Sequence, residues 1–158
     1  MKKSVIAILL LIFAISTFAQ QNRGFIKVRK EAKDHVALII GNSAYPDMPL
    51  TNPKNDANAV ASAFEEMGFI VEKVLDADKE QMAMAIARFS NNLQTASVAV
   101  FYYAGHGMQV DGENYLIPIG KTTSTQISTE EQVPYRAINA GEILIAMESQ
   151  NINFSLIV

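Results

Sequence analysis

The sequence predicts an α/β fold, a mainly parallel sheet covered by helices on both faces in three α/β/α layers. Three observations predict it. Short apolar runs suited to strands alternate with segments whose apolar residues recur every three or four positions. The run Val98–Tyr103 is apolar or aromatic throughout, as in a strand covered on both faces in the middle of a sheet. Glycine, proline and asparagine collect in the connections, and helical crossovers between such strands are right-handed. Of the residues, 49% are hydrophobic and 18% charged, enough for one real core in a 158-residue chain.

The first nineteen residues stand apart from that core. Lys2 and Lys3 precede an apolar run from Val5 to Phe18, and Thr17-Phe18-Ala19 has the small-x-small pattern of a cleavage site. Residues 1–19 are therefore read as a secretory signal peptide, too short for a comfortable membrane span. An uncleaved anchor is the alternative. The expected product is exported, periplasmic or extracellular, with no stable membrane association after cleavage. Loss of Lys2 and Lys3 from the 13 basic residues leaves 11 against 16 acidic, a net charge of −5, which argues against nucleic acid as a partner. There is no cysteine, so stability must come from packing alone.

Residues 20–34 form a polar, basic lead-in. His35–Ile40 is the first strand, and the proline- and asparagine-marked stretch from Gly41 to Pro53 is a loop. A helix follows from Asn55, with Ala57, Val60, Ala61, Phe64 and Met67 on its buried face and Gly68 ending it. Phe69–Leu75 is a second, more exposed strand. Asp78 and Gln81 form a capping box for a helix whose inward stripe is Met82, Ala85, Ile86, Phe89 and Leu93. Met82 and Met84 are read as core filler.

The central strand then stops at Gly105-His106-Gly107. Asp111-Gly112 between two short apolar segments predicts a hairpin. Residues 120–134 read as a surface loop. Asn139 opens a helix over Ile143, Leu144 and Met147, and Asn153–Val158 begins a last strand inside which the sequence stops, so the domain is expected to be incomplete.

Several chemistries are excluded by spacing. Gly41-Asn42-Ser43-Ala44-Tyr45 lacks the second glycine of a serine-hydrolase elbow. There is no Gly-Lys-Ser/Thr phosphate loop, and Gly105-His106-Gly107 lacks a third glycine for a dinucleotide. His35 and His106 are too far apart in sequence to suggest zinc. Asp111, Glu113 and Asn114 offer too few oxygens, without the spacing of a calcium loop. His106 remains, at the carboxyl end of a buried strand, where open α/β sheets keep their working residues. A turn histidine without a role is the alternative.

Val36-Ala37-Leu38-Ile39-Ile40-Gly41-Asn42, Asn52-Pro53-Lys54-Asn55-Asp56-Ala57, Phe101-Tyr102-Tyr103-Ala104-Gly105-His106-Gly107 and Asp111-Gly112-Glu113-Asn114-Tyr115-Leu116-Ile117-Pro118 follow one another with natural spacing. In this, residues 35–158 resemble the bacterial caspase-like cysteine peptidases related to metacaspases. The resemblance implies a caspase-like fold and a cysteine–histidine dyad acting on protein or peptide substrates. His106 matches the catalytic histidine, and the Gly107 N–H an oxyanion donor worth about 3 kcal/mol of barrier. Asp56 matches a pocket aspartate that binds Arg or Lys before the cleaved bond; a helix cap is its alternative role. The loop before it holds Lys54 and no arginine, so a basic rather than an acidic preference is expected. No cofactor is implied; calcium activation is a family possibility for which the sequence shows no site.

In such peptidases the cysteine follows the histidine by about fifty residues, in an Asp-x-Cys segment after the next strand. Here the sequence ends 52 residues after His106 without reaching one. The 158 residues are thus expected to be inactive alone and the parent protein to be an endopeptidase. The alternatives are a catalytically inactive caspase-like interaction module, or a generic α/β hydrolase, for which no serine on a sharp turn is found.

Overall fold

A computed structural model describes residues 34–122, 125–150, 152 and 154–157. The signal-peptide and lead-in readings lie outside them, apart from Asp34. Four parallel strands, β1 (His35–Gly41), β2 (Ile70–Leu75), β3 (Val98–Ala104) and β7 (Phe154–Ile157), form one sheet in the order β2-β1-β3-β7. Helix α1 (Pro53–Glu66) covers one face and α2 (Lys79–Leu93) the other. The alternation within β1 and β3 explains why both runs are apolar throughout. Leu38, Ile40, Ala99 and Phe101 point towards α2, whereas Ala37, Ile39 and Val100 point towards α1. Each large side chain buried this way contributes about 1.5–3 kcal/mol.

The ends of α1 differ from the sequence expectation. It begins at Pro53 rather than Asn55, because proline suits the first helical position, where no N–H is required. Asp56 is its fourth residue and not its cap. Met67 occupies the C-cap and is exposed rather than part of the buried stripe. Gly68 then adopts φ +89°, which lets its N–H reach Glu65 O at 3.0 Å and the Phe69 N–H reach Phe64 O at 3.0 Å. The Phe64 and Phe69 rings, 4.9 Å apart, seal this terminus.

β2 is more exposed than β1, as expected, because it lies at the edge of the described sheet. The capping box of α2 is formed, the Gln81 N–H donating to Asp78 Oδ1 at 2.9 Å and the Asp78 N–H to Gln81 Oε1 at 3.1 Å. Met82 is fully buried, but Met84 is exposed, on the opposite side of the helix from the stripe.

Beyond β3 a second, antiparallel sheet forms from β4 (Gly107–Val110), β5 (Glu113–Leu116) and β6 (Ile138–Asn139). Asp111 and Gly112, at φ +52° and +84°, make the two-residue turn that matches the twist of the hairpin. The segment read as surface loop is more ordered than expected. A 3₁₀ turn at Glu130–Gln132 leads into α3 (Val133–Arg136), and Val133 is fully buried against Val110 and Ala137. Such short pieces, and the two residues of β6, carry no period that a sequence could display. In α4 (Ala140–Glu148), capped by the Asn139 side chain at Gly141 N (2.7 Å), Ile143 and Met147 are buried while Leu144 is exposed.

Candidate active site

The crossover order places β1 and β3 side by side with connections that diverge at their carboxyl ends, the position where open α/β sheets form a crevice. The Asn42 N–H donates to Ala104 O at 2.8 Å, so the two strands stay tied up to the edge of that crevice. His106 follows two residues later. Its Nε2 lies 2.8 Å from the main-chain oxygen of Met48, in the loop after β1. A carbonyl can only accept, so Nε2 carries the proton and Nδ1 is the acceptor of the neutral ring. The Tyr45 ring packs obliquely on the imidazole, centroids 4.4 Å apart.

The backbone of His106 is held by two tyrosine hydroxyls. Its C=O accepts the Ile117 N–H at 2.9 Å, as an extension of the hairpin ladder. The return bond is not made directly. Instead the Tyr45 hydroxyl accepts the His106 N–H at 3.0 Å and donates to Ile117 O at 2.8 Å. The Tyr103 hydroxyl lies 2.8 Å from His106 O, 2.9 Å from Ile117 O and 3.1 Å from the Tyr45 hydroxyl. Burial pushes both phenols above the usual tyrosine range, Tyr103 far above it, so both remain proton donors.

Gly105 allows this arrangement through lack of volume. A Cβ there would lie 2.5 Å from the Tyr103 hydroxyl oxygen and 2.7 Å from that of Tyr45. Gly105 is thus needed for its small volume and not for its conformational freedom, since neither it nor Gly107 has a positive φ. Gly107 pairs with Leu116 in β5, one step before the bonded His106–Ile117 pair. Alternation of bonded and non-bonded pairs then turns the Gly107 N–H away from β5.

The loop that carries Tyr45 and Met48 is anchored from β2. Asp76 sits at φ +50°, a conformation aspartate tolerates better than most residues. Its Oδ1 accepts the N–H groups of Ser43 (2.8 Å) and Ala44 (2.9 Å), and its Oδ2 pairs with Lys54 Nζ at 2.8 Å. Burial works against the charge of Asp76, but Lys54 and the two amides outweigh it and hold the carboxyl below its usual range. Asn42, fully buried, uses its amide as a clamp. Oδ1 accepts the Ala77 N–H at 2.8 Å, while Nδ2 donates to Ala77 O at 3.2 Å and reaches Ile117 O at 3.4 Å.

Asp56 does not join His106. It is exposed on α1, and its charge, after burial, raises the Tyr102 phenol on the α1 side of β3. A cavity of about 170 Å³ opens beside the imidazole, lined by Tyr45, Asp47, Met48, Met108, Ile117 and Ile127 among others. Among the described residues no group of three His, Cys, Asp or Glu side chains forms a metal cluster. Asp111 lies in the hairpin turn, and a Glu113 oxygen accepts from Asn139 Nδ2 at 3.4 Å.

Sequence reasoning singled out His106, Gly107 and Asp56 but missed Tyr45, Asp76 and the clamping role of Asn42. Asn42 and Asp76 each follow the last residue of a strand, and a polar residue there is a signal for a carboxyl-edge function. Nothing local marks Tyr45, whose partners lie about sixty to seventy residues away.

A parallel sheet wrapped on both faces, with a histidine at the crevice and an antiparallel hairpin behind it, defines a caspase-like architecture. In structure the chain is similar to the Drosophila initiator caspase Dronc (TM-score 0.57, 13% identity, covering 82% of this chain and 50% of that one). It is equally similar to a Geobacter sulfurreducens protein (TM-score 0.58, 18% identity, covering 78% and 48%). The caspase-domain family model matches residues 34–148, and the chain belongs to that family. In sequence it is 34% identical over 89 residues to the mucosa-associated lymphoid tissue lymphoma translocation protein 1 of human and its mouse homologue. The match covers 56% of this chain and 11% of those proteins.

Proposed function

We propose that the full-length protein is an exported cysteine endopeptidase of caspase type that cleaves after Arg or Lys. Its nucleophilic cysteine would lie in the chain after β7, which runs parallel to β3 and directs the following residues towards the same edge of the sheet as His106. The observation that carries this reading is the fixed imidazole at the crevice. Met48 holds the proton on Nε2 and leaves Nδ1 to face a thiol or a leaving group. The thiolate attacks the peptide carbonyl carbon, and its oxygen becomes an oxyanion within reach of the Gly107 N–H. His106 Nδ1, which has taken the proton of the thiol, gives that proton to the departing amine as the C–N bond breaks, and water then hydrolyses the thioester. Asp56 supplies the carboxylate for a guanidinium or ammonium, a charge-assisted contact beside Tyr102. Export is supported by Lys2-Lys3 and the apolar run to Phe18.

The test is made on the full-length protein with peptides ending in Arg, Lys or Asp. His106→Ala should abolish turnover and leave the fold intact. Asp56→Asn should lower kcat/KM on Arg and Lys peptides about tenfold or more. Unchanged turnover in His106→Ala removes the histidine from the mechanism, and preferred cleavage after Asp removes the role of Asp56. A Ser, Gly or Tyr at the expected cysteine position would assign an inactive interaction module instead.

A further inference from the structure

The cavity beside His106 is not occupied by any role in the reading above. Its charge and shape are distinctive. Met48, Met108, Ile117 and Ile127 give it an apolar lining, the Tyr45 ring forms one wall, and Asp47 is the one carboxylate among its described lining residues. The cavity, about 170 Å³, is comparable with the roughly 150 Å³ apolar cavity that accommodates benzene in an engineered protein. A branched aliphatic or phenyl side chain therefore fits it.

Its place relative to Asp56 is what identifies an occupant. Asp56 lies beside Tyr102 on the α1 face of the sheet, while the cavity is bordered by Ile117 and Pro118, which directly follow Leu116, a residue packed with Tyr103 in the cluster under α2. Successive side chains of an extended peptide point in opposite directions, about 3.3 Å apart along the chain. A peptide laid over the carboxyl ends of β1 and β3 with a basic side chain turned to Asp56 thus turns its neighbour into the cavity. Since the imidazole that protonates the leaving amine lines the cavity, that neighbour is on the amine side of the cleaved bond.

Resting on the peptidase reading, we propose that this cavity is the binding site for an apolar side chain on the residue immediately after the cleaved bond. Asp47 makes the site reject acidic residues there. The consequence is a two-residue specificity, basic then apolar.

The cavity can be tested without turnover. The full-length protein is labelled with ¹³C at the methionine methyl groups and titrated with Leu-Gly-amide, Asp-Gly-amide and acetyl-Leu-Arg. Met48 and Met108 should shift with Leu-Gly-amide and stay unmoved with Asp-Gly-amide. Met108→Glu changes an exposed side chain of β4 and should abolish the response while the fold persists. In the turnover assay, an Arg-Leu bond should be cut with kcat/KM at least about tenfold above an Arg-Asp bond. No methionine shift with Leu-Gly-amide, an equal shift with Asp-Gly-amide, or a shift with acetyl-Leu-Arg alone overturns the proposal. Cleavage after Arg with no preference at the next residue overturns it too and leaves the peptidase reading standing. Methionine shifts in a protein that cleaves nothing would retain the cavity as an apolar peptide site and remove the peptidase reading.

Discussion

The hydroxyl of Tyr45 accepts the main-chain N–H of His106 at 3.0 Å, across 61 residues of sequence. One oxygen thereby replaces a strand–strand hydrogen bond, because it also donates to Ile117 O. The consequence is that the backbone of the histidine is set by a loop after β1 and not only by its own strand.

Tyr45→Phe should therefore act on position. It keeps the ring against the imidazole and removes the hydroxyl, leaving the His106 N–H without that partner. The expected cost is about 1–3 kcal/mol in thermal unfolding. In the full-length enzyme kcat should fall more than KM rises. Tyr103→Phe should cost less, since His106 O keeps the Ile117 N–H. Equal losses in the two variants would contradict the bridging role.

Gly105→Ala and Gly107→Ala should differ sharply. At Gly105 the new methyl meets two held hydroxyl oxygens at 2.5 and 2.7 Å, whereas at Gly107 the nearest contact is Tyr115 O at an ordinary 3.5 Å. Overpacking of the first kind costs about 1–3 kcal/mol. Circular dichroism melts should show a lower Tm for Gly105→Ala and little change for Gly107→Ala.

Asp76 offers a pH test. Its carboxyl is held below the ordinary 3.8, so the charged form stabilises the folded state. That contribution is fully present above the unfolded value and is lost as pH falls through the lower folded value. The stability difference between the native protein and Asp76→Asn should be constant above about pH 4 and vanish in more acid solution, all other carboxyls being shared. It should be below about 1 kcal/mol, because Lys54 is half exposed and asparagine keeps an acceptor for the loop amides. Asp76→Ala, without any acceptor, should cost about 1–2 kcal/mol more. A difference that grows on acidification would reverse the assignment.

Asn42→Ala should be the most damaging of these changes to the fold. It strips both partners from Ala77 and opens a space in a fully buried position. An unsatisfied buried amide and the lost packing together cost about 2–4 kcal/mol. Denaturant unfolding measures it directly, and a cost under 1 kcal/mol would show that the clamp is dispensable.

Strands β1 and β3, the capping box of α2, the Asp111-Gly112 turn and the position of His106 were all legible in the residues. Each rests on interactions within about ten positions of chain, where period, caps and turn conformations leave a local mark. The misreadings were local too: Met67 and Met84 are apolar and sit near a buried stripe, but helix phase turns them outward.

Residue order alone thus determined the layered α/β architecture and brought a histidine to the end of a buried strand. Only the tertiary structure decided how that histidine is held: Tyr45 and Tyr103 on its backbone, Met48 on its ring, Asp76 and Asn42 behind them. It also decided that Asp56 lies beside Tyr102 while the apolar cavity opens beside His106 and Ile117. The physical reason is that these contacts join loops separated by tens of residues. Their geometry exists once β1, β2 and β3 are paired, and no spacing within one segment encodes it.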